Sequence, residues 1–317
     1  HAGKGRGVML NLLRAELLRL VSDRKVMVLA AFVLGVGFWI SASMAEALRP
    51  YTALDWDEAR RQSNDAQINL EVTCGSSFSN SDCTALPTNI TVEGFLRPQM
   101  SFEQLVVSSL EPTAQMGLLI VVVLITVMIG AEFSTGSIGT QLTFTPRRLP
   151  LLWAKALASA ICGACLMAFW TALMVVLGVF FYLNMRGIEG LTAGSLLGAQ
   201  VGRALLAGAV MGMLAALVTM ALASTGKAWV LISVGLALSQ FLEFSRDVAQ
   251  TAWLLPTTNA FNLITGGWSR TIYNGDGVRQ EPAPHLDYGY SLGYAIFWLV
   301  VLGIWASASF SRRNILK

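Results

Sequence analysis

The chain has 317 residues, 54% of them hydrophobic and only 13% charged, at a mean hydropathy of +0.58. Soluble domains carry roughly 25% charged residues, so this composition excludes a soluble globular protein and marks an integral membrane protein. The net charge of +3 says nothing until it is resolved along the chain, and no nucleic-acid partner is expected.

A bilayer core of about 30 Å takes roughly 20 mostly apolar residues as helix. Six windows meet that requirement: 26–47, 114–131, 154–183, 197–223, 228–244 and 290–310. The runs are continuous rather than alternating, which excludes a membrane barrel. The expected fold is an all-α membrane protein: a six-span domain, 26–317, preceded by an N-terminal segment, 1–25.

Within that segment, residues 8–22 place Met9, Leu10, Leu13, Leu17, Leu20 and Val21 on one helical face. The pattern predicts an N-terminal amphipathic helix at the membrane interface, with Arg14, Arg19, Arg24 and Lys25 near lipid phosphates. A plain extension of the first span is the alternative. No cleavable signal is expected, because the first apolar run follows about 25 polar and amphipathic residues and is too long for a signal core.

A large outer loop, 49–111, follows the first span; at that length it is expected to fold as a small cap with its own helices. Cys74 and Cys83 lie in it with eight residues between them. Facing an oxidising compartment, they are expected to form a disulfide, two free thiols being the alternative. Glu111-Pro112 reads as the start of the second helix, with Pro112 in its first turn where the missing N–H is harmless.

After that span comes a polar connection, 130–155, reading GAEFSTGSIGTQLTFTPRRLPLLWAK. It is rich in glycine and hydroxyls, carries Arg147, Arg148 and Lys155 toward its end, and predicts a short helix from Ser134 to Leu142 bounded by Pro146. In spans three and four, Ala156, Ala160, Ala164 and Ala168, and Ala204, Gly208, Gly212 and Ala216, recur every fourth residue. Such stripes let helix backbones approach closely, and packing within the chain is favoured over dimerisation for Gly208 and Gly212. Cys162 and Cys165 read as small buried hydrophobes. Ser224-Thr225-Gly226-Lys227 reads as a tight turn and lacks the context of a phosphate-binding loop. The segment 245–288 contains an apolar run broken by Pro256 and Gly266-Gly267, which predicts two re-entrant outer half-helices before the last span.

Alternating the spans puts 13 of the 22 Lys and Arg with 3 acids on the side of the termini, and 9 basic with 16 acidic residues on the other. The positive-inside rule therefore makes both termini and the 130–155 connection cytoplasmic, in a multi-pass protein of the plasma membrane. His1 and His285 lie outside the spans and no Asp falls in a span core, so no catalytic, metal or cofactor site is expected on this chain. An ion-driven carrier would have to rest on Glu243 or Arg203, both near an outer end. Without a nucleotide-binding loop of its own, the chain could drive transport only with energy from another subunit.

Gly130-Ala131-Glu132-Phe133, Gly136-Ser137-Ile138, Leu142, Pro146-Arg147-Arg148 and Ala154-Lys155 together resemble the connection after the second span in permease subunits of the type-2 exporter class of ABC transporters. The resemblance extends over the amphipathic start, the six spans and the broken pair around Leu254-Leu255-Pro256-Thr257-Thr258, although the outer loop is longer than in many bacterial members. It implies two separate ABC ATPase subunits carrying ATP and magnesium, a second permease copy or a paralogue, a bacterial plasma membrane, and a coupling helix seated in a groove of the ATPase. Glu132, Thr135, Gly136, Ile138 and Leu142 would then form the ATPase contact, with Arg147 and Arg148 anchoring it to the membrane. Cargo would pass between the two permeases, lined by Gln115, Met116, Gln240 and Phe241, an apolar path suited to a lipid-like molecule, drug, peptide or other hydrophobic natural product. The rival expectation is a non-transporting scaffold or sensor acting through the outer cap.

Overall fold

The structure, a computed structural model, describes residues 32, 35–43, 48–75, 91–96, 100–144, 148–188, 191–192, 194–244, 252–274 and 277–312. The amphipathic helix expected at 8–22 and Cys83 lie outside the described residues; of the first span, residues 35–43 are helical.

Helix α1, Ala53–Gly75, opens on a reciprocal cap in which the Thr52 N–H donates to Asp55 Oδ2 at 2.7 Å and the Asp55 N–H to Thr52 Oγ1 at 3.4 Å. Cys74 sits in its last turn, and a 3-10 turn follows at Val92–Phe95. The segment between the first two apolar windows therefore contains helix.

Helix α2 runs from Phe102 to Ser134. Ser101 Oγ accepts the Gln104 N–H at 3.2 Å and Gln104 Oε1 accepts the Ser101 N–H at 3.0 Å, a capping box that fixes the start. The expectation that Glu111-Pro112 begins this helix is therefore corrected: the pair lies in its interior. Around the proline the helix is rich in hydroxyls that bond backward, with Thr113 Oγ1 donating to the Ser109 carbonyl at 2.7 Å and accepting Trp170 Nε1 at 3.3 Å.

Next come α3, Ser137–Phe144; α4, Arg148–Arg186; α5, Ser195–Leu222; α6, Thr225–Phe244; α7, Pro256–Thr265; and α8, Tyr288–Arg312. Among the described residues, four helices are long and apolar enough to cross a membrane: Thr113–Ser134 of α2, α4, α5 and α8, while α6 adds the shorter apolar stretch Thr225–Ser239. The share of each crossing window buried inside the chain is 61% for α5 and 56% for α2, against 28% for α4 and 22% for α8. So α5 and α2 form the centre, and α4 and α8 present mostly apolar side chains outward.

The tightest seam joins α4 to α5. A Cβ on Gly163 would collide with the Gly208 carbonyl, one on Gly208 with the Gly163 carbonyl and Met167, and one on Gly212 with the Ser159 carbonyl. Gly208 and Gly212 therefore pack within the chain, as their spacing predicts. The stripe assigned to α4 is shifted: Ala160, Ala164 and Ala168 are only partly buried, and the buried face runs through Ala156, Ser159, Gly163, Met167 and Trp170. Four-residue spacing drifts off one face of a helix with 3.6 residues per turn, and this face instead mixes steps of three and four.

The segment before α8 also departs from expectation. Among the described residues of this segment, a 3-10 turn at Ala252–Leu254 precedes one α-helix, α7, opened by Pro256 at its first position and ended by Gly266 at φ +81°, a conformation glycine adopts without strain. A β-hairpin follows, β1 Gly267–Asn274 antiparallel to β2 Gly277–Asp287, in register Arg270↔Glu281 and Ile272↔Arg279 and closing at Asn274↔Gly277. Thr271-Ile272-Tyr273 favours strand, and Asn274-Gly275-Asp276-Gly277 is a hairpin-turn sequence.

Candidate functional site

The residues that the resemblance singles out gather where α2, α3 and α4 meet. Helix α2 ends at Ser134, two residues break the chain, and α3 begins at Ser137, later than the predicted Ser134. The break is Thr135-Gly136, with Gly136 at φ +73° and open space where a side chain would stand. Thr135 Oγ1 donates to the Ala131 carbonyl at 2.9 Å, closing the last turn of α2. A left-handed glycine just past a helix is what lets the chain turn so sharply.

The eight residues of α3 lie against the bundle through Ile138, 1% exposed, and Leu142, 8% exposed, which join Ile129, Leu151, Leu152 and Phe310 in one apolar cluster. Its other face, with Ser134, Thr135, Gly136, Thr140 and Thr143, is exposed, and Leu149 beside it is half-exposed. Among the described residues, that surface is dense in hydroxyls.

Beneath it lies an ion pair. Lys155 Nζ stands 2.6 Å from Glu132 Oε2, with side-chain exposures of 3% and 8%. Desolvating each charge costs several kcal/mol, offset only when the partner is close and well aligned, so the pair joins α2 to α4 directionally. Three further ties close the same end of the bundle. Arg148 donates to the Ser311 carbonyl at 3.1 Å, joining α4 to α8; Ser309 Oγ donates to the Ala221 carbonyl at 2.8 Å, joining α8 to α5. Gly130 faces Thr225 so closely that no Cβ would fit, joining α2 to α6.

The sequence-derived contact set thus divides. Thr135 and Gly136 are exposed, whereas Glu132, Ile138 and Leu142 are buried against this chain; Arg148 is held by α8, and Arg147 lies outside the described residues. Sequence reasoning missed Thr140, Thr143 and the bond from Glu132 to Lys155. The signal for that bond was present: lone opposite charges flanking a helical turn in a chain with 13% charged residues.

For the path residues, Gln115 and Met116 lie on an exposed face of α2 and Phe241 is exposed on α6; of Gln240 only the backbone is described. Counting along both helices from the Gly130–Thr225 contact places Gln115 and Gln240 at one level, about 22 Å away at 1.5 Å per residue. Cys162 is partly buried and Cys165 exposed on the outward side of α4, so only the first sits as a packed small side chain.

At the opposite end, α7 is buried among α2, α5, α6 and α8. Asn262 Nδ2 donates to Ser291 Oγ at 2.8 Å, Ser291 Oγ donates to Asn259 Oδ1 at 3.0 Å, and Ser239 and Thr257 share a short hydroxyl contact. Arg203 donates to the Thr265 carbonyl at 3.1 Å and stacks its guanidinium 5.2 Å from the Tyr288 ring centre. A cation at the carbonyl end of a helix is favoured by the helix dipole, so Arg203 caps α7. Arg203→Gln is expected to lower stability by about 1–2 kcal/mol, read as a fall of a few degrees in the Tm of the detergent-solubilised protein. An unchanged Tm would remove the capping role.

Glu103 plays the complementary part at the start of α5: its Oε1 accepts the Leu197 N–H at 3.1 Å, a carboxylate on a helix N-terminus. Compared with family models and with curated proteins, the chain matches none.

Proposed function

We propose that the chain is the permease subunit of an ATP-driven exporter for a hydrophobic or amphipathic cargo, powered by separate ATPase subunits. In this reading the chain crosses the plasma membrane six times, with both termini and α3 on the cytoplasmic side. Two ATPases, holding ATP and magnesium, serve a pair of permeases, the second being either another copy of this chain or a paralogue. The observation that carries the reading is α3 itself: an eight-residue helix between two long apolar helices, hinged at Gly136 and seated by Ile138 and Leu142. A short helix joined to two crossing helices passes a rigid-body displacement to both. The charge asymmetry along the chain supports its cytoplasmic placement. The exposed hydroxyl face, Thr135, Thr140 and Thr143, would meet the ATPase, while Ile138 and Leu142 would hold α3 in place.

The test is to purify the full chain from its native membrane and measure ATP hydrolysis in the preparation. Thr140→Trp, on the exposed face, is expected to reduce the retained ATPase at least tenfold with the Tm unchanged. Retention of the ATPase at the original level, or an ATPase-free preparation from the unaltered chain, would sink the reading. Ile138→Asp would be a poor probe of coupling, because it forces a carboxylate into a site that is 1% exposed and unseats the helix altogether.

A further inference from the structure

We infer that the Glu132–Lys155 ion pair is a positioning joint that makes the end of α2 and the start of α4 move as one body when α3 is displaced. The inference rests on the coupling role proposed for α3, and adds to it the pair of residues through which the displacement passes.

Three observations carry it. First, regular helix does not continue from α2 into α3. Thr135-Gly136 interrupts the helix, and Gly136 meets nothing within 4 Å of a built Cβ. Second, the pair bypasses that break. Glu132 lies in the last turn of α2 and Lys155 in the second turn of α4, and their charged atoms are 2.6 Å apart. Third, both side chains are almost wholly buried, at 8% and 3% exposure, so water cannot screen or replace the bond. A buried charge pair is steeply sensitive to separation, whereas two apolar side chains can slide past one another with little loss. Filling the same space with apolar groups would avoid the desolvation cost and forgo the directional hold. The other ties at this end join α4 to α8, α8 to α5 and α2 to α6. Apolar packing of Ile129 with Leu151 and Leu152 also joins the two helices that flank α3, but among the ties described there the ion pair is the directional one between them.

The experiment compares the neutral pair Glu132→Gln with Lys155→Met, and the swapped pair Glu132→Lys with Lys155→Glu, in the full chain with its four cysteines replaced by alanine. Spin labels at Ser134→Cys and Leu149→Cys, both exposed, report the distance between the two helices. The neutral pair is expected to at least double the width of the distance distribution, and the swapped pair to restore the original width. In complexes purified with their ATPase, the neutral pair is expected to cut ATP hydrolysis at least fivefold with the ATPase still bound. An unchanged width in the neutral pair overturns the inference. So does failure of both pairs to accumulate in the membrane, since the residues would then serve folding alone. If the unaltered chain retains no ATPase, the transporter reading falls, and the label distances still decide whether the pair holds the two helices together.

Discussion

Gly163→Leu is expected to destabilise the folded bundle strongly. At that position α4 and α5 meet backbone to backbone: the Gly208 carbonyl occupies the place of a Cβ, and Val121 of α2 closes the third side at 3.1 Å. A flexible side chain could step aside, but a helix carbonyl cannot, so the two helices must separate along the seam. Overfilling a packed core costs about 1–3 kcal/mol, and a contact against backbone belongs at or above the top of that range. Total stability is on the order of 5–15 kcal/mol, and α5 is the most buried crossing helix, so a loss there spreads to every neighbour. The measurement is the yield of monodisperse protein after extraction and its Tm. Gly202→Leu is the control: nothing stands within 4 Å of its built Cβ, and the yield should match the unaltered chain. Equal yields for both leucine variants would refute the seam.

Removing one member of the buried ion pair is the second large effect. Lys155→Ala leaves the Glu132 carboxylate at 8% exposure without its cation, and Glu132→Ala leaves the ammonium at 3% without its anion. Breaking a buried pair from one side costs about 3–5 kcal/mol, because the remaining charge keeps its desolvation penalty and loses the attraction that offset it. Each single variant should therefore lower the Tm by many degrees, and the neutral double variant, Glu132→Gln with Lys155→Met, should recover most of the loss. Strict additivity of the two single losses in the double variant would show that the residues do not interact.

The centre of this fold was readable from residue order because hydrocarbon is a harsh selector. Continuous apolar runs over α2, α4, α5 and α8 leave little choice but helix, and the glycines at 208 and 212 mark a close approach wherever they fall. The start of α2 was misjudged because Pro112 is a helix-opening signal in isolation, while the box of Ser101 and Gln104 is a weaker pattern with a stronger hold. Gly163 was missed for want of the partner helix, since only the crossing point with Gly208 distinguishes it from the alanines beside it. The hairpin after α7 lies almost wholly beyond the apolar run on which the half-helix expectation rested, and its turn sequence, Asn274 to Gly277, was the local clue. At the candidate site, residue order identified the segment but not which way its side chains face. Periodicity over eight residues of α3 is too short to separate the buried Ile138 and Leu142 from the exposed Thr140 and Thr143.

The turn between α5 and α6 leaves the chain almost no length to spare. Ala223, at φ +48°, and Ser224, whose hydroxyl receives the Lys227 N–H at 3.4 Å, are all that separates the two helices. With so little slack, the first turn of α6 stays beside the last turn of α5 whatever surrounds the pair, so a displacement of one end carries the other with it. Lengthening this turn by a few glycines is the change that would uncouple the two ends.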